Sequence, residues 1–593
     1  GNDFWPGPLS TDGSAAVDQD VCSAYDDLWK THRQDVQRHE AYERCKRDPL
    51  CNEAVEFPNY TVPQVFFEWP ALGDLSRGQS QFLAPFIDYD EDDVYDPTMG
   101  DAPGYNLTTD GECQNRNRNA IVPLYGDENI WWIFNDKGNT HTETDADAIG
   151  MEIRAQAFAF ATNDEVNNMT FYNYLLINQG TQTLTNAFFG QWVDADVGCA
   201  NDDYVGCDVQ RGLAYAYNGD ANDADCNSTP GYGDQTPAVG IDFFEGPYQD
   251  VDHMDNPLAT TYAEAVAGNG IPYKGLGIGY GDGIVDNERY GMRAFIYYNG
   301  GADNGQGDPT EGVGYYNYMQ AKWLDGSSMF YGGSGHYSDP DADQNTPTNY
   351  MFPGDSDPVG WATGGVVQPP WTEESAGNFP DDRRLFQSAG PFTLEPGAFN
   401  NITVGVVWSR ASSGGPFASV QLLRQADDKA QALFDNCFQL LDGPDAPQLT
   451  MQELDRELIM YLRNPSGNNV GEGYQQVDPI IPESYVGPDS LPVLTDREYR
   501  FQGYQVFQVK DATVSVDQLK DISLARLVSQ SDRRDGNAQL VNYINNDQIG
   551  LPVPVEMVNG ADEGIAHSFR ITEDKFAQGD TRLINFKTYY FIA

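Results

Sequence analysis

Met151-Glu-Ile-Arg-Ala-Gln-Ala-Phe-Ala-Phe-Ala161 and Met169-Thr-Phe-Tyr-Asn-Tyr-Leu-Leu-Ile-Asn178 are the two segments on which the fold turns. Both are strand-sized, rich in aromatic and apolar groups, and bounded by Gly, Asn and Asp, which stop strands. The pattern recurs at residues 187–193, 293–298 and 401–410. Between these runs lie long loops full of Asp, Gly and Tyr, which need fastening by metal, disulfide or packing. The expected fold class is therefore mainly β: a large, loop-rich β-sandwich.

Working outward, the period changes at residues 418–438. Leu422, Leu423, Ala426, Ala430, Leu433, Phe434, Cys437 and Phe438 form one apolar stripe, a helix that closes the large domain. Asp442-Gly-Pro-Asp-Ala-Pro447 reads as a linker, and strand candidates resume at 454–462, 499–509, 523–528, 565–571 and 588–593. On the N-terminal side, Val17, Val21, Tyr25, Leu28, His32, Val36 and His39 recur at helical spacing, predicting one amphipathic helix over 17–42. The expected organisation is an N-terminal helix with a metal-loop segment (1–125), the large sandwich (126–441) and a second sandwich (442–593).

The chain carries 90 Asp and Glu against 34 Lys and Arg, a formal net charge of −56. Such a field repels nucleic-acid phosphates and anionic lipid, so neither is an expected partner. Self-repulsion of this size calls for a screen, either bound divalent cations or a salty medium. No run is long and apolar enough to span a bilayer, so direct membrane insertion is not expected. The opening Gly1-Asn-Asp-Phe-Trp5 has neither the basic start nor the apolar core of a signal segment; on an exported chain it is the processed form. None of the eight cysteines forms a CxxC, and no Cys/His group has zinc spacing. Cys45 and Cys51 enclose a short polar loop, and Cys199, Cys207 and Cys226 share an Asp/Gly-rich stretch. Disulfides there imply an oxidising compartment, with the pairing open.

The chemistry-bearing residues are carboxylates. Asp88, Asp90, Asp92 and Asp96 alternate through a tight loop and aim their oxygens at one centre, as calcium requires. A second group runs through Asp194, Asp196, Asp202, Asp203 and Asp208 to Asn218, Asp220, Asp223 and Asp225. A third comprises Asp282, Asp286 and Glu288, and a weaker fourth Asp339, Asp341 and Asp343. Ca2+ is the expected cofactor. Enzyme signatures are sparse: there is no HExxH, and Ser334 in Gly-Gly-Ser-Gly-His336 lacks the second glycine of a nucleophile elbow. No catalytic residue is expected. Trp131, Trp132, Trp192, Trp323, Trp361 and Trp371 lie near Gly/Asp loops, where exposed rings stack on sugars or anchor protein partners, while core packing is the expected role of most of them.

Several motifs carry a resemblance. Phe4-Trp-Pro-Gly-Pro8, Leu83-Ala-Pro-Phe86, Trp192-Val-Asp-Ala-Asp196, Gly281-Asp-Gly-Ile-Val-Asp-Asn-Glu-Arg289, Met351-Phe-Pro-Gly-Asp355 and Gln387-Ser-Ala-Gly-Pro-Phe-Thr-Leu394 are similar to large surface or secreted proteins of the Bacteroidota exported by the type IX pathway. The resemblance implies an extracellular, outer-membrane-exterior location. It supplies no catalytic residue. The C-terminal part resembles a fibronectin type III domain, with Leu583 six residues before Tyr589 and Tyr589, Phe591 and Ala593 alternating inward. That likeness implies that the Tyr589 hydroxyl bonds back to the preceding turn. It also implies one more strand, so the native chain is expected to continue past Ala593. The expected function is a non-enzymatic, calcium-stabilised structural or adhesive surface protein. Its partners would be other cell-surface or outer-membrane proteins, or further copies of itself. The alternative is a polysaccharide- or polymer-binding component of a degradative system, with glycans as ligands.

Overall fold

The structure, a computed structural model, describes residues 3–105, 122–162, 165–226, 229–268, 270–299, 305–435, 438, 443–478, 484–486, 492–494, 496–514, 516–546 and 551–593. The chain forms two compact units, one over Gly1–Phe438 and the other over Gln439–Asp547 and Leu551–Ala593.

In the first unit the strands that bear on function are β1 (Trp5–Pro6), β2 (Trp29–His32), β3 (Phe86–Ile87), β4 (Ala102–Pro103), β5 (Glu128–Asn135), β6 (Met151–Ala159) and β7 (Thr170–Asn178). They are followed by β8 (Leu184–Asp194), β9 (Asp203–Asp208), β10 (Leu213–Asn218), β11 (Pro237–Glu245), β12 (Ala294–Asn299), β13 (Arg383–Leu394) and β14 (Phe399–Arg410). Among the described residues, nine form one sheet in the order β1–β5–β6–β7–β14–β11–β10–β9, with β2 pairing β5 beside β1. A second sheet, β12–β13–β8, lies over one face of it.

Side chains alternate between the faces of a strand, so each strand of the large sheet serves two cores. Ile153, Leu176, Val205, Phe243 and Val404 point toward the second sheet, into a core shared with Phe295, Leu385 and Phe386. The opposite face is covered by the closing helix Pro416–Asp435, whose Val420, Leu423, Ala430 and Leu433 are fully buried. Phe434 stacks on Phe244 with ring centres 5.7 Å apart. Gly405 must lack a side chain, because a Cβ there would strike the Phe244 ring.

The N-terminal region departs from the helix expected over 17–42. A short helix, Gln19–Ala24, gives way to β2, and α1 (Arg33–Arg47) follows. The reason is period 2 inside the apparent helical pattern: Trp29 and Thr31 are buried, while Lys30 and His32 are exposed. Trp29 pairs with Trp131 of β5, and Trp29 and Trp69 pack on the Trp131 ring at 5.8 and 5.9 Å. The segment before residue 125 is thereby sewn into the large sheet.

In the second unit β15 (Gln448–Leu454), β16 (Glu457–Arg463) and β19 (Ser568–Ile571) form one sheet, and β17 (Gly503–Val509), β18 (Ala525–Asp532) and β20 (Tyr590–Ile592) another. Met460, Leu462, Tyr504, Val506, Ile571 and Leu583 fill the space between, with Tyr589, Phe591 and Ala593 packed against them. The Tyr589 hydroxyl accepts a hydrogen bond from the Ile584 N–H at 2.8 Å. Cys45 pairs with Cys51 and Cys199 with Cys226, while Cys22 and Cys207 are free. Cys113 and Cys437 lie outside the described residues. No helix among the described residues is long and apolar enough to cross a membrane.

Candidate metal centres

Asp203 opens β9 and Asn218 closes β10, and the ladder sets them opposite each other. Cross-strand partners project on the same face, so two oxygen-bearing side chains rise together at the sheet end. Both are fully buried. Asp203 Oδ2 accepts the Val197 N–H at 3.0 Å, but its Oδ1 has no partner. Asn218 donates Nδ2–H to the Asp220 carbonyl at 2.8 Å, leaving its Oδ1 unpartnered as well. Asp202 Oδ1 is a third orphan, and the Asp202 carbonyl accepts the Gly219 N–H at 2.6 Å. Asp223, 2% exposed, is spent on shape: it accepts the Cys199 N–H at 3.0 Å and the Tyr232 N–H at 2.7 Å. The Cys199–Cys226 bond ties the same loop.

The electrostatics follow from this crowding. Burial, reinforced by Asp223 and Asp220, pushes the Asp202 carboxyl up to about 6. Burial, reinforced by Asp202, Asp223 and Asp196, pushes Asp203 up to about 8. A buried oxygen without a donor carries a desolvation cost of about 1–3 kcal/mol, more if charged. A hard cation removes that cost at several oxygens together, and an all-oxygen donor set suits calcium rather than zinc.

The 88–101 loop is closed at its base by the β3–β4 ladder, which pairs Ile87 with Ala102. Asp88 and Asp101 are the next residues outward, so the ladder delivers them side by side. With Asp90 they bring one carboxylate oxygen each to within 4.8 Å of one another. Asp101 is fully buried and accepts the Tyr89 and Asp96 N–H groups, each at 2.8 Å. Burial raises its carboxyl, with Asp88 and Asp90 adding to the effect. Asp92 and Asp96 are outside this group: each turns back on its own chain, to the N–H of Val94 and of Thr98.

Asp194 and Asp196 meet Asp382 in a third cluster. Here a cation is already present, since Arg384 lies 3.2 Å from Asp194 and 3.6 Å from Asp382. The remaining residues are dispersed. Asp208 is held by Arg211 and Arg424 at 3.0 and 2.9 Å. Asp220 is exposed, and Asp225 accepts the Gly231 N–H. Asp282 accepts from the Ile284 N–H and the Asn287 side chain, Asp286 from the N–H groups of Asp252 and His253, and Glu288 from that of Asn256, so this loop is fastened by hydrogen bonds, largely to the backbone of residues 252–256. Asp339 and Asp343 are used the same way. Ser334 donates its N–H to Asp339, while the His336 ring bonds Ser338 rather than Ser334.

Beside the acidic end of the sandwich lies a cavity of about 1040 Å³ between the large sheet and β8. Phe134, Tyr172, Tyr174, Phe189, Trp192 and Trp408 are among its walls, and Asp194 and Asp196 also line it. Trp192 is 49% exposed, whereas Trp131, Trp323 and Trp371 are core residues.

No protein-family model matches the chain, and no curated protein does.

Sequence spacing pointed to Asp88 and Asp90 but missed Asp101, which comes into reach only through the ladder at the loop's base. Asp382 was likewise missed, because its 188-residue separation from Asp194 is closed only by the pairing of β13 with β8.

Proposed function

We propose that this chain is a calcium-stabilised, non-catalytic module of the cell exterior, with a structural or adhesive role, of the kind carried by the type IX pathway in Bacteroidota. One observation carries the reading: three oxygens, Asp202 Oδ1, Asp203 Oδ1 and Asn218 Oδ1, are buried at one sheet end with no donor. A calcium ion is a fitting partner for buried oxygens of this kind. The second unit's two-sheet core and the Tyr589 hydroxyl bond support the likeness to a fibronectin type III domain and hence a modular surface protein. Its partners would be other outer-membrane or surface proteins, or copies of itself. The test is thermal melting of the full chain after exhaustive chelation and again in millimolar calcium. A rise of several degrees supports the reading, and coincident curves overturn it.

The aromatic cavity favours a second reading, in which the module binds a neutral polymer or apolar-bodied ligand. Its wall rings offer stacking platforms, and the carboxylates among its lining residues repel anions. Oligosaccharide binding lost on Trp192→Ala would support it, and no binding across a neutral glycan panel would remove it.

A further inference from the structure

A different pair of carboxylates lies on the opposite face of the large sheet. The helix Pro416–Asp435 runs along β11 in the same direction. The Ser419 hydroxyl donates to the Thr236 carbonyl at 2.6 Å at one end, Leu423 covers Gly240 in the middle, and Phe434 stacks on Phe244 at the other. Asp242 is two residues beyond Gly240, about 6.6 Å along the strand. Asp427 is one helical turn beyond Leu423, about 6 Å along the helix. The two therefore face each other between fixed points.

Both are sealed from solvent, at 1% and 2% exposure. Both carboxylate oxygens of Asp242 and Oδ1 of Asp427 have no hydrogen-bond partner. The ion pairs of the neighbouring arginines run to other carboxylates, and Arg424 Nε and Nη2 form no hydrogen bond. Arg211 grips Asp428 through two bonds of 2.9 Å and Asp208 at 3.0 Å, while Arg424 lies 2.9 Å from Asp208 and 3.3 Å from Asp355. Asp242 and Asp427 thus form no ion pair with an arginine or lysine among the described residues. An uncompensated charge pair in such a place is untenable unless it takes up protons or binds a cation.

We propose that Asp242 and Asp427 form a closed divalent-cation site, suited to calcium, that fastens the closing helix to the sheet. The inference stands apart from the Asp203 site, which lies on the other face of the sheet. Burial drives both carboxyls well above the usual carboxylate range in the ion-free state, which an ion between them would reverse.

The experiment counts calcium in the full chain after chelation, re-equilibration with calcium and gel filtration. Asp242→Asn with Asp427→Asn should carry one calcium fewer than the parent chain, whereas Asp203→Asn removes only the ion of the other face. Equal calcium in the double variant and the parent overturns the proposal, whatever Asp203→Asn does. Because the double variant could misfold, crystals of the unmodified protein grown in calcium give a second reading. A long-wavelength anomalous peak between the two carboxylates supports the site. A peak-free, hydrogen-bonded acid pair sharing a proton overturns it.

Discussion

Replacing Asp203 by Asn should stabilise the metal-free protein while removing most of its response to calcium. The carboxyl is fully buried and its pKa is raised from 3.8 to about 8. An acid whose folded pKa is raised binds its proton more tightly in the folded state. Its contribution to stability is therefore greatest below about pH 4, is lost as pH rises toward about 8, and is flat above that. At pH 7 the loss spans roughly three pH units at about 1.4 kcal/mol each, an upper limit near 4 kcal/mol. Asparagine carries no charge to desolvate. It keeps an oxygen for the Val197 N–H and offers Nδ2–H to the orphaned Asn218 Oδ1. Denaturant unfolding in chelator from pH 5 to 9, repeated in calcium, reads the effect. The parent should lose stability with rising pH in chelator and recover it in calcium, and the variant should be more stable in chelator, with a flatter profile and little calcium gain. A variant that is less stable than the parent in chelator, yet gains as much from calcium, would refute the reasoning.

Arg383→Ala should cost about 3–5 kcal/mol in denaturant unfolding, because it strands the fully buried Glu373, which Arg383 grips at 2.8–3.1 Å; a loss under 1 kcal/mol would mean that the carboxyl finds another partner. In the 88–101 loop, Asp101→Asn should weaken calcium binding by tenfold or more in a calorimetric titration, whereas Asp96→Asn, which alters only a local turn, should leave affinity within about twofold. Replacing Cys199 and Cys226 by Ser should lower stability by about 3 kcal/mol, since their bond closes a loop with a sequence separation of 27. The same change should weaken calcium binding at Asp203, because the bond shapes the Asp223 loop; an unaltered titration would separate the two.

Much of the architecture was legible because β6, β7, β8, β12 and β14 are aromatic or β-branched runs between turn formers. The closing helix was legible from its apolar stripe. β9 and β10 were not, since every residue in both is buried. Strands buried on both sides do not alternate, and acids at both ends of Asp203–Asp208 gave that strand the look of a loop. The candidate site was legible in part for a related reason. Composition marks where carboxylates crowd, but only strand register decides which of them converge, so Asp203 with Asn218 and Asp88 with Asp101 are products of pairing. Asp427 was hidden differently, as an acid on the buried face of a helix whose neighbours Leu423, Ala426 and Ala430 are apolar.

The most direct test of the calcium account is a crystal structure at high resolution from calcium-replete solution, inspected at the end of β9 and β10. The account predicts an ion there with Asp203 Oδ1 and Asn218 Oδ1 among six to eight oxygen ligands at about 2.3–2.6 Å. Ordered water, or an Asp202–Asp203 acid pair with no ion under saturating calcium, would contradict it.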